Sequence, residues 1–351
     1  MMTQTNNRAV PHSSSLFKFN VRDAGTLIGL LIIIVTFSFL SPVFFTVPNL
    51  LNILQQSSIN ALIALGMTLV IISGGIDLSV GPTAALSAVL GATLMVAGVP
   101  VPLAVMATLG IGAICGIFSG TLIAYAGLQP FIVTLGGLSL FRAIALIYTG
   151  GSPIFGIPME FRSIINSTLL GVPTPIVIVA VIALVLWTVM NKTPLGEYIL
   201  AIGGNEEAAR VAGVPVKRTK VTVYIISGVL ASLASLILIG RLGAAEPTIG
   251  NLWELDAIAA AAIGGASLMG GKGSVFGTII GVIILGALRN GLTLLNIQAF
   301  YQLLATGLII IMNKARGFKS SLNCNYISNL RTIRPIAPVT MGHKWDTCIK
   351  N

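Results

Sequence analysis

The chain has 351 residues, 55% of them in the hydrophobic set and only 9% charged, with a mean hydropathy of +0.96. A soluble domain carries about a quarter charged residues, so the composition excludes an ordinary soluble enzyme, a disordered protein and a disulfide-built secreted module. The formal charge of +10 sits mostly between apolar runs and at the chain ends, which is the positive-inside pattern and not a nucleic-acid-binding stripe.

A bilayer span needs about 20 mostly apolar residues to cross ~30 Å of hydrocarbon. Ten candidates satisfy this, roughly at 25–45, 53–73, 80–98, 102–126, 131–149, 172–190, 219–241, 255–270, 274–290 and 295–312. The expected fold is an all-α polytopic membrane protein of about ten transmembrane helices, although two short Gly-broken stretches also admit a half-helix reading. Residues 1–24 form a polar tail holding Arg8, Lys18 and Arg22. The first apolar run lacks the short core and small-residue cleavage site of a secretory signal, so it is expected to be a retained span with the N-terminus in the cytoplasm.

In the second candidate, Asn49, Asn52, Gln56 and Asn60 recur at helical spacing and share one face. They are expected either to line a path for a hydroxyl-rich solute or to bond helices together. Asp77, in Gly74-Gly-Ile-Asp-Leu-Ser-Val-Gly81, is a carboxylate near the end of a span. It is either a gating group, the default reading of an intramembrane charge, or the cap of the next helix. Arg142 lies well inside the run from Phe131 to Tyr148 and needs a partner or a wet cavity. Glu254 and Asp256 are the acids nearest to it by topology, and an ion pair with one of them is expected.

The longest internal hydrophilic segment is 191–220. Within it, Asn205, Glu206, Glu207, Ala208, Ala209, Arg210 and the residues up to Gly213 read as one short helix. Asn205 caps its first turn, the two glutamates complement the dipole there, and Gly213 stops it. This helix either connects two spans or docks a cytoplasmic partner. Further on, Gly264-Gly-Ala-Ser-Leu-Met-Gly-Gly271 matches 74–81 at four of eight positions without a gap, a weak internal repeat of the kind that marks a transport path. The segments 191–220 and 272 carry most loop Lys and Arg residues, whereas Glu160, Glu246 and Glu254 fall in the alternate loops. Both termini are therefore expected in the cytoplasm.

No Walker-A loop, H-E-x-x-H pair or serine elbow occurs in the chain, and Gly270-Gly-Lys-Gly-Ser274 lacks the first glycine of a phosphate loop at its required position. Cys115, Cys324 and Cys348 make no disulfide framework. Neither a metal site nor an enzyme is expected.

Taken together, the motifs resemble one family, the membrane permeases of ribose-type sugar ABC importers. They are Asn49-Leu-Leu-Asn-Ile-Leu-Gln-Gln56, Gly66-Met-Thr-Leu-Val70, the segment 74–81, Tyr148-Thr-Gly-Gly-Ser-Pro153, Gly203-Gly-Asn-Glu-Glu-Ala-Ala209, Glu254-Leu-Asp-Ala-Ile-Ala259, the segment 264–273 and Leu288-Arg-Asn-Gly-Leu-Thr-Leu-Leu295. The resemblance covers about 25–312, and the ribose members look nearest through 50–56 and Gly171-Val-Pro-Thr-Pro175. It implies a bacterial inner-membrane permease domain over 25–312 that acts as a homodimer. Its partners would be an ABC ATPase subunit on the cytoplasmic side and a periplasmic sugar-binding protein, with ATP bound by the ATPase and no cofactor in this chain. It further implies that 205–213 is the coupling helix and that the spans rock by alternating access. Asn49, Asn52, Gln56, Asn60, Asp77 and Arg142 stand as the candidate path or gate. An ion-coupled secondary transporter of small polar solutes is the alternative, resting on Asp77. Beyond Ile311 the sequence departs from the family: Asn313-Lys-Ala-Arg316 interrupts the last apolar run, and the stretch from Lys314 on holds seven Lys or Arg against one acid, Asp346. A rearranged gene end is the preferred reading of 313–351, and an appended tail on anionic lipid is the alternative.

Overall fold

The structure, a computed structural model, describes residues 21–298, 300–302, 304 and 307. The polar tail 1–20, most of the tenth candidate span and the segment 313–351 lie outside the described residues. In chain order the elements are α1 Val21–Leu40, α2 Val47–Ile72, α3 Val80–Val96, α4 Val101–Ala124 and α5 Pro130–Thr149. These are followed by β1 Ile154–Phe155, α6 Met159–Asn166, β2 Thr168–Leu169, β3 Val172–Pro173 and α7 Thr174–Lys192. The last group is α8 Pro194–Gly204, α9 Glu206–Val211, α10 Val216–Leu242, β4 Ala244–Ala245, α11 Trp253–Ile263 and α12 Val275–Leu294.

Among the described residues, six helices are long and apolar enough to cross a bilayer: α2, α4, α5, α7, α10 and α12. The polytopic all-α architecture therefore holds, while the count of about ten spans does not follow from it. α3 and the described apolar part of α1 are shorter. The expected span over 255–270 is corrected: α11 has 11 residues, about 16 Å at 1.5 Å per residue, half of a ~30 Å hydrocarbon core. The apolar run continues past Ile263, but Gly264 and Gly265 end the helix through the hydrogen bonds Gly265 N to Ala262 O and Ala266 N to Ala261 O, a Schellman ending.

The core forms around α2 and α10. From Ala61 to Ile72 every residue of α2 is buried, and α10 packs against α2, α3 and α4. The α4–α10 contact is close because small residues face each other: a Cβ on Gly116 would meet the backbone of Tyr224 and Ile225, and one on Gly228 would meet that of Gly112. Lipid gives helices little hydrophobic drive to associate, so small residues and polar cross-links carry such contacts. Two hydroxyl bonds serve as cross-links here, Thr68 to Thr278 at 2.7 Å and Ser87 to Ser232 at 3.1 Å. The outward faces are apolar, with Met106 and Ile114 on α4, Ile132 and Ile147 on α5, and Leu184 on α7 exposed, as a bilayer-facing surface requires.

The bundle has two distinct ends. At one, β1 pairs antiparallel with β4, and Asn166 donates to Gly240 O at 3.0 Å. At the other, the end of α8 and the loop after α11 cover the C-terminal tip of α2: Gly271 N donates to Ile72 O at 2.9 Å, and Gly203 lies so close to Ile72 and Gly271 that a side chain has no room. The two segments that echo each other in sequence, 74–81 and 264–271, thus come together in space beside Gly203. The Schellman ending of α2 places Gly74 where that of α11 places Gly265, one residue off the register of the sequence echo.

Candidate functional site

The short helix α9 forms as its residues dictate. Asn205 Oδ1 accepts from Ala208 N at 3.0 Å, satisfying one orphan donor of the first turn. At the other end Gly213 takes φ +84°, its N–H reaches Arg210 O, and Val214 N reaches Ala209 O, closing a Schellman motif. Glu207 pairs with Arg210 along the helix, and Glu206 pairs with Lys220 of α10 at 2.6 Å. Ala209 is buried with Ile202 and Val216, so α9 is fastened by its apolar side to α8 and to the start of α10. Beside it opens a basin of about 330 Å³ lined by Tyr125, Arg210, Val214, Lys217 and Arg218, with the Lys217 ammonium 5.3 Å over the Tyr125 ring. The charged face points outward, and the chain leading into α9 is Gly203-Gly204, the segment wedged against the tip of α2. The lead-in to α9 thus touches both the tip of α2 and the loop after α11.

Asp77 lies in the non-helical stretch between α2 and α3. Its Oδ1 accepts from Ser79 N at 3.0 Å and from Ser79 Oγ at 2.6 Å, and its Oδ2 accepts from Ser227 Oγ at 2.8 Å. These bonds form an Asx turn ahead of α3 with an added bond to α10, while the N-cap position of α3 is held by Ser79 without a side-chain cap bond. Ser227 lies about 16 Å along the helix from Val216 at 1.5 Å per residue. Asp77 thus sits deep in the bundle, where irregular backbone is tolerated only when protein surrounds it.

Arg142 finds carbonyls in place of the expected ion pair. Its Nη1 donates to Pro247 O at 2.7 Å and to Ile249 O at 2.6 Å, and its Nη2 donates to Asn251 Oδ1 at 3.2 Å. No ion pair within 4.0 Å joins it to Glu254 or Asp256. Asp256 is instead taken by Arg289 of α12 at 2.5 Å. The expectation fails because the chain from 246 to 252 runs back into the bundle and presents its own carbonyls to the guanidinium. Arg142, Glu254, Asn251, Thr248, Pro82 and Leu138 together line a cavity of about 180 Å³.

The four polar residues of α2 have different surroundings. Asn49 is buried and exchanges two amide bonds with Asn290 of α12, at 2.9 and 3.0 Å, while also donating to Phe44 O. Asn52 accepts from the exposed Gln56 at 2.9 Å, and Asn60 is half-buried. Asn49 is therefore helix-to-helix glue; Asn52 and Gln56 satisfy each other.

A family model described as "Branched-chain amino acid transport system / permease component" matches residues 49–313. The chain belongs to this permease family. Among its relatives, the ribose import permease protein of Haemophilus influenzae is 45% identical over 291 residues, covering 82% of this chain and 90% of that one. The ribose import permease protein of Bacillus subtilis is 46% identical over 290 residues, covering 82% and 90%. The D-allose transport system permease protein of Escherichia coli is 42% identical over 289 residues, covering 82% and 89%. No solved structure matches the chain.

In this permease several partners escaped the sequence reading. Ser227, Asn290 and the carbonyls of Pro247 and Ile249 are contributed by elements more than a hundred residues from Asp77, Asn49 and Arg142. Asn290 had a signal, being a polar residue inside an apolar helix, and so had Ser227. The two backbone carbonyls carry none.

Proposed function

We propose that this permease is the membrane-spanning subunit of an ATP-driven importer that carries a monosaccharide, ribose or a close relative, into the cytoplasm. The observation that carries this reading is the likeness, over four-fifths of the chain, to the ribose and allose permeases. The substrate named in the family description is a branched-chain amino acid, but these nearer relatives are named for sugars. The partners are an ABC ATPase, a periplasmic sugar-binding protein, a second copy of the chain and the bilayer of the inner membrane, and no nucleic acid.

α9 is the coupling helix of this scheme. Its apolar side is fixed to the bundle and its charged face is free for the ATPase, whose closure drives the spans through Gly203-Gly204 and the tip of α2. The end carrying α8, α9 and the basic residues Lys192, Arg210, Lys217, Arg218 and Lys220 then faces the cytoplasm by the positive-inside rule, as do both termini. The ion-coupled alternative draws little support from Asp77, whose two oxygens are engaged by serines.

The test is uptake of labelled ribose, with leucine as control, by proteoliposomes holding the chain, its ATPase and the binding protein. Uptake that requires ATP and the ATPase, and that Glu207→Arg abolishes while the assembly stays intact, is the expected result. Ribose uptake driven by an ion gradient without the ATPase overturns it.

A further inference from the structure

The start of α10 carries more positive charge than its position favours. Lys217, Arg218 and Lys220 stand there with no acid in the first turn, although a helix N-terminus is itself positive and favours anions. Lys220 is balanced by Glu206, and Arg210 of α9 by Glu207. Among the described residues, no ion pair within 4.0 Å joins Lys217 or Arg218 to an acid. Lys217 rests over the ring of Tyr125 instead. Arg210, Lys217 and Arg218 border the basin of about 330 Å³ beside α9, and no acid lines it. All three are exposed, so an occupant of the basin can reach them. The remaining lining, Val214, Pro215 and Val216, is apolar.

The basin lies at the level of lipid headgroups. α4 has 24 residues, about 36 Å at 1.5 Å per residue, enough to cross ~30 Å of hydrocarbon. Tyr125, its C-cap residue, therefore stands at the hydrocarbon edge, where tyrosine rings settle. Leu128 in the turn that follows, and Phe131 and Ile132 at the start of α5, are exposed and begin a lipid-facing surface. The basin thus joins three cations to an apolar border, which is the layout of a phospholipid, charged at the phosphate and apolar in its chains. At about 30 Å³ per water it holds the equivalent of roughly eleven waters, room for a phosphodiester with its glycerol.

We propose that this basin binds the headgroup of an anionic phospholipid, its phosphate held by Lys217, Arg218 and Arg210 and its chains passing Tyr125 along α4 and α5. An acidic protein loop would match the cations but not the apolar border. The bound lipid ties Arg210 of α9 to the start of α10 and the end of α4, and so holds the short helix at the membrane surface. The site depends on the chain lying in a bilayer, and on neither the sugar nor the ATPase of the reading above.

The test counts lipids retained by the purified full-length chain from equimolar phosphatidylglycerol and phosphatidylcholine, by native mass spectrometry. A Lys or Arg near an anionic headgroup is worth about fivefold in affinity. The native chain is expected to retain phosphatidylglycerol in preference, and Lys217→Gln combined with Arg218→Gln should lower the ratio at least fivefold. Lys192→Gln, which removes an exposed charge outside the basin, should leave the ratio unchanged. These are exposed positions, so the variants should fold as the native chain does. Raising the salt should weaken the preference, because exposed charges are screened. A ratio that the double variant does not change overturns the site. Displacement of the lipid by excess soluble glycerol phosphate assigns the basin to free phosphate esters and overturns the lipid proposal. Retention of phosphatidylglycerol after the ATPase is added supports the proposal, and its loss makes the basin a protein contact and overturns it.

Discussion

Two stretches of irregular backbone interrupt the helices of this permease, and each carries an acidic residue into the interior. In the first, between α2 and α3, Asp77 is held by three hydrogen bonds from Ser79 and Ser227. The second, 246–252, runs into the first turn of α11, where Glu254 keeps one buried oxygen with no partner. The first arrangement is what a structural joint needs: the carboxylate completes the turn into α3 and ties it to α10. The second leaves an acceptor packed against Gly81 with no bond to spend it on. The two stretches also touch, at Gly81 and Gly250, so the joint forms part of the wall against which Glu254 is packed.

The sharpest way to break the pairing is at that contact. Gly81→Val places a side chain on the backbone of Gly250, and neither neighbour can yield without separating α3 from the loop before α11. We expect loss of a monodisperse protein, read by size-exclusion chromatography in detergent. Asp77 and Glu254 should then differ. Asp77→Ala strips the partner from Ser79 N–H and Ser227 O–H at roughly 1–3 kcal/mol per orphaned buried group, so the thermal midpoint should fall markedly. Glu254→Gln keeps the side chain's shape and orphans no side-chain hydrogen bond, so the midpoint should hold. Thermal unfolding of the two purified variants checks the contrast, and an equal fall in both would erase the distinction. The smallest effect is expected at Asn49, where Asn49→Ala leaves Asn290 without its exchanged bonds. Helix-to-helix bonds of this kind are worth about 1 kcal/mol or less in membranes, so the midpoint should shift by only a few degrees and uptake should persist.

The readable parts of the molecule were the local ones. Asn205 and Gly213 bound α9 as their residue types require, because an N-cap and a left-handed C-terminal residue act within four or five residues of themselves. The apolar runs behind α4, α5, α7 and α10 were equally legible, since a span depends on the length of its hydrophobic stretch. The run over 255–270 misled because hydropathy does not register a helix ending: Gly264 and Gly265 are as compatible with a span interior as with a stop. Asp77 and Arg142 could be flagged as residues in need of partners, but the partners could not be named.

By itself, then, the sequence determined the class of the protein, most of its helices, the short capped helix at one end of the bundle and the list of polar groups that the interior must accommodate. Only the tertiary structure decided which of those groups are satisfied. Asn49 meets Asn290, Asp77 meets Ser227 and Arg142 meets two backbone carbonyls across 241, 150 and more than a hundred residues of chain. A hydrogen bond is made by proximity in space, and proximity over such separations is set by how the glycine-faced helices pack. The same packing leaves one Glu254 oxygen buried beside Gly81 without a hydrogen-bond partner, a property that no local pattern of residues encodes.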